Sequence, residues 1–148
     1  MNRCQQTQRK ALMPQRQRGA AVVEFALILP ILLLLLVGTI DASLALYDKA
    51  VITNASREGA RAGIVARSPP LTDAQIKGVV ERYLQGALVS LGSTSALPAV
   101  QIQKGNWNGD AILTVTVRYT FQGVGLGGLF DSLGKPWVLQ SSSVMVYE

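Results

Sequence analysis

Hydrophobic and polar positions divide the chain into three regimes, and each predicts a different kind of element. From Ala20 to Ile40 nearly every residue is apolar, and Glu24 is the one charge. As a helix rising about 1.5 Å per residue this run spans roughly 30 Å, the thickness of a bilayer's hydrocarbon core. Leu32 to Leu36 cover every face of that helix, so it is not an amphipathic surface helix. Gly59 and Gly63 are the sole breakers between Thr39 and Ser68, so the helix is expected to continue to about Ala66. Ser68-Pro69-Pro70 ends it, because a residue before proline avoids the helical region.

Thr72 with Gln75 forms a capping-box pair that opens a second helix, expected to run to about Leu91. Ile76, Val79, Val80, Tyr83, Leu84, Ala87, Leu88 and Leu91 give it an apolar core face. Gly92 is its terminating glycine, and Ser93-Thr94-Ser95 is loop. The period then falls to two. Val100 to Gln103 alternates, Asn106 to Asp110 makes a turn, and Leu113 to Phe121 alternates over one long strand. Gly123 to Lys135 reads as a glycine-rich surface loop, since it lacks the lysine and helix start of a phosphate-cradling loop. Val138 to Tyr147 is the last strand. The expected fold class is α+β: a long N-terminal transmembrane helix continues into a domain with a second helix and a small antiparallel sheet of about three strands.

Charge adds a direction. The 148 residues carry a net charge of +5, and Arg3, Arg9, Lys10, Arg16 and Arg18 supply it before Gly19 with no acid among them. Beyond Gly19 nine basic residues balance nine acidic ones. A basic tail ahead of a membrane segment keeps the N-terminus cytoplasmic and directs the C-terminal portion to the far side. Nucleic-acid binding needs a basic patch on the folded domain and is not expected. Cys4 is the single cysteine and histidine is absent, which excludes an intramolecular disulfide and a zinc cluster. Asp73, Glu81, Asp110, Asp131 and Glu148 are scattered over caps, turns and the terminus, with no paired-carboxylate pattern. No catalytic residue, metal site, cofactor or enzymatic activity is expected.

Glu24 is the informative residue of the apolar run. A charge at the centre of a membrane helix costs about 2.5–3.5 kcal/mol on insertion scales. One turn inside the cytoplasmic end, a carboxylate either snorkels to the headgroups or is kept for a cationic partner. Gly19 lies five residues earlier. Cleavage after it would free an α-amine on Ala20, at the membrane depth of a neighbour's Glu24. Charge neutralisation between adjacent chains would then favour a staggered bundle of helices.

These residues carry a family resemblance. Gly19-Ala20-Ala21-Val22-Val23-Glu24-Phe25 resembles the prepilin-peptidase recognition sequence of the tight-adherence (Flp) pilus system, a glycine followed by four residues and Glu-Phe or Glu-Tyr. The longer stretch from Arg18 to Pro30 is similar to the opening of TadE-like and TadF-like pseudopilins, in which a proline follows the glutamate at a similar place. On its own physics Pro30 lacks a backbone donor and is expected to kink the helix. Asn54-Ala55-Ser56-Arg57-Glu58-Gly59-Ala60-Arg61-Ala62 resembles the Ala-Arg-Glu-Gly-Ala-Arg signature that follows the membrane helix in TadE-like proteins. Ser56 replaces the commoner alanine, and Asp41 stands where a glutamate is usual. The resemblance covers Arg18 to Ala66, with Ser142-Ser143-Val144-Met145 similar to the family's last strand.

The second signature is a packing device. Ala55, Gly59, Ala62 and Ala66 recur at spacings of three and four, a smooth face that lets another backbone approach. Arg57 and Arg61 lie one turn apart and can pair with acids of the same domain or of a neighbour, and Glu58 can pair with Arg61. Glu24, Ala55, Arg57, Glu58, Gly59, Ala60, Arg61 and Ala62 are therefore the expected assembly and packing residues. The pattern fits a face on the chain's own sheet and a face on another subunit equally well.

The resemblance implies a basic cytoplasmic leader over 1–19, removed by cleavage, and a transmembrane helix over 20–40. It continues that helix outside the membrane over 41–67 and places an exported α+β domain at 71–148. It implies a processing site of Gly19, Ala20, Glu24 and Phe25, with a prepilin peptidase as partner. Membrane lipid, other pilins or pseudopilins, and the inner-membrane pilus assembly platform are the further partners. The expected protein is a minor pilin or pseudopilin of the bacterial inner membrane that takes part in assembling a tight-adherence pilus, supporting adhesion and biofilm formation. Two other readings stand beside it. One is an uncleaved, signal-anchored, exported binding or adhesion protein with no pilus role. The other is a secretory signal cut at Ser43-Leu44-Ala45, against which the apolar run is longer than such signals carry.

Overall fold

The computed structural model describes residues 16–66, 68–89, 97–123, 125, 132–134 and 136–147, the first three by backbone alone. The leader residues Arg3, Cys4, Arg9 and Lys10, the expected helix end at Leu91 and Gly92, and the Ser93-Thr94-Ser95 loop lie outside the described residues. So do Asp131, Glu148 and the middle of the glycine-rich loop. The elements are α1 (Arg16–Ile64), α2 (Asp73–Leu84), β1 (Ala99–Trp107), β2 (Asp110–Phe121) and β3 (Trp137–Val146). The fold is α+β, and the chain divides into two compact units, Met1–Leu35 and Leu36–Glu148.

In the first unit the described residues form the opening part of α1. Val22, Val23, Phe25, Leu27, Ile28 and Leu32 to Leu35 are each more than half exposed. An apolar helical surface that no protein covers, with its backbone bonded internally, is what a bilayer can solvate. Among the described residues α1 is the helix long and apolar enough to cross a membrane, which suggests a single-pass anchor. Its helical assignment runs through Pro30 without a break.

The second unit holds the remainder of α1, α2 and the sheet. The strands are ordered β1-β2-β3 and antiparallel throughout. Alternation along β2 turns Leu113, Val115, Val117, Tyr119 and Phe121 to one face, where all are buried. Both helices pack on that face, and Ile52, Ile76 and Val80 join Leu113, Val115 and Val117 as fully buried core residues. The glycines show how α1 is laid. A Cβ on Gly63 would overlap Leu113, one on Gly59 would touch Val115 at 3.4 Å, and one on Gly123 would fall 2.6 Å from a carboxylate oxygen of Asp41. β2 therefore runs antiparallel to α1, with its Phe121 end beside Asp41 and its Asp110 end beyond Gly63.

Two local expectations are corrected. Helix α2 ends at Leu84, not Leu91. Gln85 leaves the helical region with ψ 114°, and Gly86 follows in the left-handed region at φ 75°, so the backbone turns. Ala87 and Leu88 still pack against the core from that turn, which is why their apolar spacing imitated more helix. The turn after β1 is also tighter than Asn106 to Asp110. Asn108 and Gly109 alone form it, with φ 53° and 95°, while Trp107 already pairs with Asp110. Two positive φ values match the strand twist of a two-residue hairpin, the geometry that Asn-Gly favours. The capping box is present as expected, with Gln75 Oε1 accepting from the Thr72 N–H at 2.9 Å.

Asp48 is buried on α1, and one of its oxygens accepts from the Val89 N–H at 2.9 Å, pinning the chain after α2. Its other oxygen has no partner. Burial raises its pKa above the ordinary 3.8, with the Val89 hydrogen bond pulling the other way. The folded chain thus holds this proton more tightly than the unfolded chain. Stability from this group is greatest below the ordinary carboxylate range and is lost as pH rises through the raised value. Asp48→Asn should melt higher than wild type at about pH 7, and the gap should close as pH falls toward about 4. Thermal melts of both chains across that range check it, and a gap that widens in acid would contradict it.

Candidate processing and assembly site

The first cluster lies in the first unit. Gly19, Ala20, Glu24 and Phe25 are helical and exposed, Phe25 at 63%. Nothing lies within 4 Å of where a Cβ on Gly19 would point. Ala20 and Glu24 are four residues apart and so share a helix face, about 6 Å apart along the axis. A carboxylate in that position can neutralise a cation at the level of Ala20 while both sit at one end of the apolar run.

The second cluster lies in the second unit, and its two faces have different surroundings. Ala55, Gly59 and Ala60 are buried, Ala62 is half-buried, and Arg57, Glu58 and Arg61 are exposed. A Cβ on Gly59 would overlap Val80 of α2. The small face is thus occupied by the chain's own helix and sheet. Its members are also rotated from the expected set: Ala66 is exposed, and Gly63 lies against Leu113 and Ile76. The i, i+4 repeat of Gly59 and Gly63 was the signal for that face. Among the described residues the ion pairs are Lys77 with Glu81 and Lys104 with Asp73, so Glu58 and Arg61 do not pair.

Three polar contacts that hold α1 to the rest of its unit had no local sequence signal. Ser56 is fully buried, donates to the Thr53 carbonyl at 2.8 Å, and meets the Ser143 hydroxyl at 2.9 Å and the Ser141 hydroxyl at 3.4 Å. The serine that stands where the signature usually has alanine is therefore matched by two serines on β3. Lys49 Nζ donates to the Gln140 carbonyl on the same strand. Asp41, which stands where the family usually has a glutamate, is fully buried and accepts from the Gly125 N–H at 2.9 Å. The glycines at 123 and 125 leave room for that carboxylate and for Val37.

A helix long enough to span a bilayer, with Gly19 to Phe25 near its start, suggests a single-pass membrane anchor. Residues 19–61 match a family model described as TadE-like protein, so that segment is TadE-like. No curated protein and no solved structure matches the chain. The TadE-like family is a pilus-associated family and not a family of enzymes.

Proposed function

We infer that this chain is a minor pilin or pseudopilin of a tight-adherence pilus, cut by a prepilin peptidase between Gly19 and Ala20. The observation that carries this reading is a coincidence of positions. The TadE-like match begins at Gly19, and Glu24 lies at the fifth place after the proposed cut, near the start of the apolar run of α1. Processing would convert the helix start into an ammonium on Ala20. Glu24 of an adjacent chain would neutralise it and set the stagger between subunits. The small face is already spent on the chain's own domain, so Arg57, Glu58 and Arg61 are the residues of the signature left for other pilins or pseudopilins. The basic leader supports an inner-membrane location with a cytoplasmic N-terminus and an exported domain. The protein's work in this reading is structural: it helps to assemble the pilus, with adhesion and biofilm formation as consequences, and catalyses no reaction.

Gly19→Leu tests the processing step. The substitution meets open space on the helix, so it should leave insertion and folding intact while blocking the peptidase. Immunoblots of membranes should show only the longer precursor, and pili should be lost. Normal piliation from an uncut chain would favour the anchored binding protein instead.

A further inference from the structure

Most glycines of the second unit have a structural reason, and Gly78 has none of the usual ones. Gly59, Gly63, Gly123 and Gly125 admit a neighbour too close for a Cβ, and Gly86, Gly109 and Gly134 take positive φ. Gly78 sits inside α2, where glycine costs about 1 kcal/mol of helix propensity against alanine. A Cβ there would meet no atom within 4 Å, so no packing contact demands a glycine. Gly78 instead lines a cavity of about 590 Å³, formed by the C-terminal half of α2, the turn after it, the residues leading into β1, and Tyr119. That volume falls in the range of small-molecule sites, about 300–1,000 Å³.

The lining has two characters. Leu84 and Tyr119 are buried, and Leu88, Leu97 and Pro98 extend the apolar wall. Charged and amide side chains come from one stretch of chain: Glu81, Arg82 and Gln85, all exposed. Lys77 pairs with Glu81 at 3.7 Å and answers that acid from the turn before. Arg82 stands in neither of the ion pairs formed among the described residues. A basic residue in a last helical turn ordinarily answers the helix dipole, a role that needs no cavity beside it.

We propose that this cavity binds a small amphiphilic carboxylate, an alkyl chain of medium length with its acid group on Arg82. The charge follows from the guanidinium, whose planar fork of donors matches a carboxylate. Gln85 adds an amide donor to the same lining. The alkyl body follows from the rest of the wall, which is hydrocarbon or glycine apart from the Tyr119 hydroxyl. Gly78 keeps the helix side of the cavity clear for that chain. All of these residues belong to the second unit, so the site rests neither on the anchor nor on the pilus role.

The test uses the full chain in phosphatidylcholine nanodiscs and an octanoate carrying a photoreactive diazirine on its chain. Irradiation and peptide mass spectrometry should place the label on Leu84, Leu88, Leu97 or Pro98. Unlabelled octanoate should compete, and octanol should compete less well. Arg82→Gln should lower the labelling roughly three- to fivefold, the worth of an exposed ion pair. Gly78→Leu sends a side chain into the cavity from a position where its Cβ meets nothing, so it should abolish labelling. The same variant should melt as high as wild type or higher, because leucine favours the helix. Label confined to the apolar run of α1 marks a probe dissolved in lipid and would overturn the site. Labelling that Arg82→Gln leaves unchanged, or that octanol displaces as well as octanoate, would overturn the carboxylate. Undiminished labelling of Gly78→Leu would overturn the cavity as the place of binding.

Discussion

With Glu24 replaced by alanine, the chain should be cleaved and stable in the membrane, yet fail to join its pilus partners. The two roles open to this carboxylate predict opposite results. If it only snorkels, removing a charge from the apolar run should ease insertion and leave function unchanged. If it neutralises the Ala20 ammonium of a neighbour, its loss strands that charge in a poorly hydrated place. Removing one partner of a desolvated pair typically costs about 3–5 kcal/mol, a figure that contact with headgroups and water at this depth would reduce. Even a third of it changes an association constant by roughly tenfold. Site-specific crosslinking of the Glu24→Ala chain to its partners, alongside a count of pili, reads the outcome. Normal crosslinks with normal pili would leave Glu24 a residue of processing or insertion alone.

Replacing Gly59 should instead damage the folded α+β unit itself. In a free helix, Gly59→Ala would gain about 1 kcal/mol of propensity. Here the added Cβ overlaps Val80, a buried side chain with one torsion and no flexible end to move aside. Overpacking costs about 1–3 kcal/mol, so alanine should come out level to modestly destabilising. Leucine at the same place adds a whole side chain between α1, Val80 and Val115. A loss of several kcal/mol, out of the roughly 5–15 that a domain holds in total, should leave the domain open to protease. Arg61→Leu, on the exposed face of the same turn, is the matched control and should change protease resistance little. Gly59→Leu that resists protease like wild type would contradict the packing of this face on its own domain.

The contrast between these residues shows how far local patterns reach. The apolar run, the Thr72–Gln75 capping box and the alternation along β2 are local patterns, and each became the element it predicted. The end of α2 was misread because Ala87 and Leu88 serve the core from a turn, and apolar spacing alone cannot separate that from helix. The small face on α1 was visible, but its occupant was not. Val80 and Val115 lie far along the chain, and no spacing on α1 names them. The buried carboxylates were the least legible. Asp41 and Asp48 accept from backbone N–H groups 84 and 41 residues away. A backbone donor has no side-chain signature, so nothing near either acid in the sequence marks it as buried. Gly19 to Phe25 differs again, since its meaning lies in a bond to be cut and an amine to be made.

The mature N-terminus is therefore the measurement that bears most directly on the pilin reading. The protein should be purified from membranes of its native host, and its intact mass and N-terminal peptide determined by mass spectrometry. Cleavage by a prepilin peptidase predicts a chain that begins at Ala20, without the five basic residues of the leader. A chain that begins at Met1 would leave an uncut anchor, and one that begins at Leu46 would make the apolar run a removed secretory signal. Either would contradict the assignment of Gly19, Ala20 and Glu24, and the pilin reading with it.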